Sequence, residues 1–360
     1  MTRSIEPHWF QLSNEGSIMS QSLTVKMLEA VRNVPIGYVV CGGVVCTVPA
    51  LLAARLHNPL FCWSAIAAFW SYLSIPSDKS PKGCIFGLVF GITGAVASGL
   101  GAWTMVWPQL AIALSALFAF AGAYAQVCGA RISIPALLTA TAFAVSTAFP
   151  AKDFAQGFAY ARYFLYGSLW ATGSALLFQW CQYDQPDAAK RPVLWSALRT
   201  NFTPKSNFFL HGLRVALSGA LSVWLVQLWS LHYGYWMTLT VFLIMQPYMH
   251  STLRMSLERV GGTFLGGAIA AVLGYAIHDP FLLAALILPV SIGTLAGRSV
   301  SHISYLMFLT PHFILVAQVG QSGGSELDLV FLRMLYSTGG ALLAIIASLV
   351  IFPRWQTAEP

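Results

Sequence analysis

Residues 83–130 contain no Asp, Glu, Lys or Arg, and they form one of ten such runs in the chain. The others are 33–54, 56–77, 132–151, 163–183, 215–253, 260–278, 280–297, 299–325 and 334–353. A helix needs about 20 mostly apolar residues to cross a bilayer, and backbone facing lipid must bond to itself, so such runs restrict the chain to membrane-spanning helices. Runs 83–130 and 215–253 are long enough for two helices each, with breaks at WTMVWPQ (103–109) and LHYGYW (231–236). The expectation is an all-α integral membrane protein of about twelve transmembrane helices. No charged faces recur at a helical period, as in a water-soluble bundle, and no period-2 alternation marks a transmembrane barrel. Only 9% of residues are charged, against about 25% in soluble domains.

The net charge of +7 is distributed as a membrane protein would distribute it. With the N-terminal tail inside, fifteen Lys and Arg fall in inside segments and four, Arg55, Lys152, Arg162 and Arg333, fall outside. The positive-inside rule then puts both termini in the cytoplasm of a bacterial-type inner membrane, and no nucleic-acid partner is implied. Trp103, Trp107, Trp229 and Trp236 fall at expected outer helix ends, where indole rings favour the headgroup layer. The six cysteines have neither disulfide nor metal spacing and read as packed thiols. The N-terminal residues lack the apolar core and cleavage site of a signal peptide and read as a retained tail.

The chain also reads as a duplication. Arg162 opens RYFLYGSLWATGSALL and Arg333 opens RMLYSTGGALLAIIAS, 171 residues apart, while Trp63 and Trp236 open similar segments 173 apart. Six helices is an even number, so the expected arrangement is two parallel six-helix repeats related by an axis along the membrane normal. The boundaries are a cytoplasmic tail (1–35), a first repeat (36–181), a cytoplasmic linker (182–210), a second repeat (211–354) and a C-terminal tail (355–360).

Gln246-Pro247, then Arg259, Gly262, Thr263 and Gly266 as R-x-x-G-T-x-x-G, then Arg333 with a glycine pair and a terminal F-P-R from Phe352, resemble the fusaric acid resistance protein-like family. That family belongs with the aromatic acid exporters and is distantly similar to plant aluminium-activated malate transporters. The resemblance is good over 211–354 and weaker over 36–181, where Pro76, Lys82, Gly83 and Gly87 form an eroded copy. It implies an inner-membrane secondary transporter that exports small organic, often aromatic, acids. The partners implied are the lipid bilayer and an organic acid anion. Larger members carry a sizeable cytoplasmic domain where this chain has a short linker, which leaves a periplasmic adaptor protein open as a partner. A passive organic-anion channel or a non-transporting membrane scaffold are the alternatives.

The residues themselves favour an anion. All twelve acidic residues fall in tails, loops or span ends, whereas Lys82, Arg131, Arg162, Arg254, Arg259, Arg298 and Arg333 stand at helix ends beside apolar sequence. Guanidinium groups take carboxylates through paired hydrogen bonds, and a basic rim concentrates anions. In TLRMSLERVGGTFLGG (252–267), Arg254 and Arg259 read either as inside anchors in a loop or as part of the path. On the second reading a helix begins at the glycines, so that Arg259 draws a carboxylate to free amides beside Gly262 and Thr263. Proton coupling has four candidates: His302, His312, Glu258 and Asp78. GQSGG (320–324) matches G-x-S-x-G without the strand that a nucleophile elbow needs. No nucleophile constellation, metal spacing or cofactor motif is present, so neither an enzyme, a cofactor nor a metal site is expected.

Cysteine-accessibility labelling tests the topology. The 182–207 linker should label from the cytoplasm and the 321–328 loop from the periplasm; labelling from the opposite sides, or equally from both, would sink the orientation.

Overall fold

The computed structural model describes residues 35–76, 81–104, 106–181, 194–320 and 326–352. Among the described residues every regular element is helical. The long helices of the first half are α1 (Ile36–Leu56), α2 (Leu60–Ser74), α3 (Cys84–Thr104), α4 (Pro108–Tyr124), α5 (Ala130–Ser146) and α6 (Phe154–Cys181). A short helix, α7 (Leu194–Asn201), follows. The second half has α8 (Asn207–Leu228), α9 (Tyr235–Ile244), α10 (Met249–Ala276), α11 (Pro280–Val300), α12 (His302–Gly320) and α13 (Glu326–Val350). Eight helices, α1, α3, α4, α8, α10, α11, α12 and α13, are long and apolar enough to cross a membrane by length and composition. The apolar helices α2, α5 and α9 are shorter, at 15, 17 and 10 residues.

Local chemistry sets several of these boundaries. Pro108 and Pro280 occupy first-turn positions, where the missing amide proton costs nothing, and the Asp279 side chain caps α11 by accepting from the Leu282 amide at 2.8 Å. Helix α9 stops at Ile244 because Met245 turns extended two residues before Pro247, a residue type that disfavours helical backbone just ahead of it. Gly129 joins a 3-10 turn to α5 at φ 82°, a conformation that side chains with a Cβ adopt only under strain.

Helix neighbours recur between the halves. In the first, α3 packs on α5 and α6, α2 on α6, and α4 on α5; in the second, α10 packs on α12 and α13, α9 on α13, and α11 on α12. Across the halves α1 packs on α11 and α8 on α4, while α2 meets α12 and α9 meets α5. The inner helices α2, α5, α9 and α12 therefore meet at the centre. Glycines set how closely they approach. A Cβ on Gly340 of α13 would stand 2.6 Å from the Met237 carbonyl oxygen of α9, and one on Gly167 of α6 would overlap the Ser64 carbonyl of α2. Both intervals, 340 minus 167 and 237 minus 64, are 173.

Arg214 of α8 shows how a buried cation is held here. It is 1% exposed, and its guanidinium donates to the carbonyl oxygens of Ile351 (2.8 Å), Gln246 (3.3 Å), Pro247 (3.3 Å) and Phe352. Sequence counted it as an inside anchor; in the fold it ties the ends of α9 and α13 to α8.

The glycine contacts give a direct test. Gly167→Leu and Gly340→Leu should each cost folded protein in detergent, whereas Gly173→Leu, with nothing within 4 Å of its Cβ position, should be silent. Size-exclusion profiles and thermal denaturation would measure the difference.

Candidate functional site

The inner helices enclose an aromatic cavity of about 310 Å³. Helix α2 contributes Trp63 and Trp70, the segment after α5 contributes Phe149, α6 contributes Tyr160, α9 contributes Trp236 and α12 contributes Phe313. The cavity thus draws on both halves. Its volume lies at the lower end of the ~300–1,000 Å³ typical of small-molecule sites, which limits an occupant to about one ring system. Trp63 meets Phe149 edge-on at 5.2 Å and Tyr160 at 5.4 Å, and Trp236 meets Phe313 edge-on at 6.4 Å.

Arg333 of α13 adds the charge. It is 1% exposed, and its guanidinium carbon sits 3.6 Å from the centroid of the Trp236 ring. Arg333 does not itself line the cavity but stacks on an indole that does. Its Nε and Nη1 have no hydrogen-bond partner. A cation on an indole face gains about 0.5–2 kcal/mol, well short of the several kcal/mol needed to desolvate a charge, so the site favours an arriving anion.

A second cavity, of about 450 Å³, lies one turn further along α2. Its walls include Tyr38, Leu73, Ile75, Arg131, Ile134 and Arg298. Tyr38 and Tyr72 exchange hydrogen bonds, each hydroxyl donating to the other's carbonyl at 3.3 and 2.7 Å, and latch α1 to α2 beside it. Between the α2 residues that line the two cavities lies Phe69, tilted against His312 at 4.6 Å, beside Trp70 of the aromatic cavity wall, 5.9 Å from Phe313.

The sequence candidates are distributed unevenly over this geometry. Arg333 is at the aromatic cavity and Arg298 lines the second. His312 is fully buried against Phe69, with Nδ1 2.9 Å from the Ser291 hydroxyl and Nε2 unpartnered. Arg259 and Thr263 are buried, at 2% and 0% exposure, and Gly262 packs against α12 with its Cβ position 2.5 Å from the Leu306 Cβ. Arg254 is exposed and pairs with Glu258 at 2.9 Å. His302 is half-buried, 6.0 Å from the Tyr305 ring. Lys82 and Arg162 are exposed, and Asp78 lies outside the described residues.

Three expectations are corrected. Residues 252–267 are not a loop followed by a helix start: they lie inside the 28-residue α10, so the amides near Gly262 are already used by the helix. Trp236 does not turn outward as a headgroup anchor would; it is 3% exposed and faces the aromatic cavity. The residue 173 before Arg333 is Tyr160, the interval that also relates Trp63 to Trp236, and Tyr160 lines the cavity where Arg162 does not. Tyr160 and Phe149 were missed by sequence reasoning; applying the Trp63–Trp236 interval along α6 would have found Tyr160.

Residues 221–347, from α8 to α13, match the model of the fusaric acid resistance protein-like family. The inner membrane protein YccS of Escherichia coli is 30% identical over 165 residues, 45% of this chain and 22% of that protein. An uncharacterised protein of Synechocystis is 32% identical over 123 residues, 34% of this chain and 16% of that one. An uncharacterised protein of Haemophilus influenzae is 28% identical over 157 residues, 44% and 22% respectively. The chain spans no more than 22% of the length of these relatives. No solved structure matches it. The family match and the Escherichia coli relative support the resemblance read from the motifs, over residues 221–347.

Proposed function

We propose that this protein is a multi-pass inner-membrane transporter that exports small aromatic carboxylic acids through the interface of two parallel six-helix halves. The observation that carries the reading is Arg333, a buried guanidinium with unpartnered nitrogens stacked on the wall of an aromatic cavity. Within that cavity a ring packs between the Trp63 and Trp236 pairs, while Arg333, behind the Trp236 wall, supplies the positive field that holds its carboxylate. The paired cation and indole place one wall to meet both ends of such a ligand.

The matching helix neighbours of the two halves support the twelve-span, two-repeat arrangement. So does the shortness of α2 and α9, because short apolar segments at corresponding places mark transporter binding sites. In the orientation given by the positive-inside rule, the cavity with Arg131 and Arg298 opens to the cytoplasm and the aromatic cavity lies nearer the periplasm. Export then begins with anion capture at the basic mouth, and passage requires Phe69 and Trp70 to move. One observation favours a second reading, a passive anion channel: no Asp or Glu is buried among the described residues, so a carboxylate proton carrier is missing from the described core. Accumulation of substrate against its gradient in inverted vesicles separates the two.

Binding to the purified protein tests the site before transport is considered. Benzoate-class acids should bind, and their neutral amides should bind far more weakly. Arg333→Gln should lose about thirtyfold or more in affinity, as expected when one partner of a buried charge pair is removed. Arg333→Lys should also bind less well, because an ammonium lacks the plane that stacks on Trp236. Titration calorimetry reads each affinity; equal binding of acid and amide, or wild-type affinity in folded Arg333→Gln, would defeat the assignment.

A further inference from the structure

Arg259 poses a separate electrostatic problem. It is 2% exposed in the middle of α10 and lines neither cavity described above. Its Nε and Nη2 have no hydrogen-bond partner. These two nitrogens form one edge of the guanidinium, with N–H bonds running parallel, the arrangement that grips a single anion from the side. Thr263, one turn further along the same helix face, is fully buried and its Oγ1 is also unpartnered.

Nothing in the described protein neutralises this cation. The adjacent Glu258 is engaged by Arg254 at 2.9 Å, and no Asp or Glu is buried among the described residues. A second buried and unsatisfied guanidinium, Arg333, lies on α13, which packs on α10. One monocarboxylate on Arg333 would still leave Arg259 unpaired. A buried charge in a membrane protein is costly unless it is paired, so a second anion is required.

We infer that Arg259 and Thr263 hold a compact inorganic anion of the chloride class, at a site separate from the aromatic cavity. The packing supports a monatomic ion over an organic acid. On either side of Thr263, α10 presses on α12: the Cβ position of Gly262 is 2.5 Å from the Leu306 Cβ, and that of Gly266 is 2.5 Å from the Met307 carbonyl oxygen. Helices this close leave no room for a ring. The guanidinium edge supplies two charged donors and the Thr263 hydroxyl a third. Gly262 and Gly266, conspicuous in the sequence motif, then act by bringing α12 up to close the site.

Equilibrium binding of radiolabelled chloride to the purified protein in detergent, at constant ionic strength with gluconate as the balancing anion, tests this. In an Arg333→Gln background, which removes the other unpartnered buried guanidinium, saturable binding of one chloride per chain is expected, competed by bromide. It should be abolished in Arg259→Gln, weakened about tenfold in Thr263→Val for the loss of one hydrogen bond to a charge, and retained in Arg199→Gln, an exposed cation on α7. Absence of saturable binding, persistence in Arg259→Gln, or unchanged affinity in Thr263→Val would overturn the site. Should Arg259→Gln not fold, the Thr263→Val comparison decides alone. The outcome is independent of the aromatic-acid reading: chloride bound with no benzoate bound refutes transport of aromatic acids and leaves this site standing.

Discussion

A cation taken out of water must find compensation, and the second half of this protein is organised around how three arginines meet that demand. Arg214 is compensated by backbone, because carbonyls just beyond the ends of α9 and α13 converge on one guanidinium. Arg333 gains only an indole face, and Arg259 has a whole edge unpartnered. The same chemical group is thus a structural clip in one place and an open socket in two others. Native proteins satisfy nearly all buried polar groups, so the exceptions mark where a ligand completes the structure.

Much of the helical layout was legible from charge-free runs, since hydrocarbon excludes charge and water-facing turns do not. The breaks near WTMVWPQ and LHYGYW coincide with the ends of α3 and α8 and the starts of α4 and α9. The rule failed where a charge lies within a helix. Arg254, Glu258 and Arg259 interrupt the apolar sequence but not α10, because a helix carries charged side chains wherever one face meets solvent or a buried socket. Punctuation by charge therefore detects the apolar length of a segment, while hydrogen bonding continues past it. Starts of α6 and α13 at Phe154 and Glu326, well before Arg162 and Arg333, have the same cause.

The site was less legible, for a geometric reason that α6 makes plain. Pairing Arg162 with Arg333 used an interval of 171, whereas the contacts of Gly167 and Gly340 on α2 and α9 give 173. A slip of two residues along a helix turns a side chain by about 200°, onto the opposite face. Arg162 accordingly points away from the core, and Tyr160 enters the cavity. Trp236 misled for a different reason. An indole near a helix end reads as a headgroup anchor when the helix faces lipid, but α9 is an inner helix and turns it toward Arg333. Lipid exposure is a property of tertiary packing that one sequence does not carry.

The exchange of arginine for tyrosine at that interval also bears on how the proposed transporter would orient its cargo. Tyr160 meets Trp63 at 5.4 Å as Arg333 meets Trp236 at 3.6 Å, so related places offer a neutral phenol on one side and a cation on the other. An arginine at both would add another unpaired charge to a core that already holds Arg259 and Arg333, and mutual repulsion would raise the cost of folding empty. It would also let a carboxylate bind in two opposed orientations. With one cation and one phenol, the proposed acid would have a single preferred pose, its carboxylate toward α13 and its ring toward α2. Matching sets of helix neighbours in the two halves would then enclose a site with a polar end and an apolar end. A site of this kind separates the two demands on a transporter core: matched halves that repack against each other, and one fixed orientation for what passes between them.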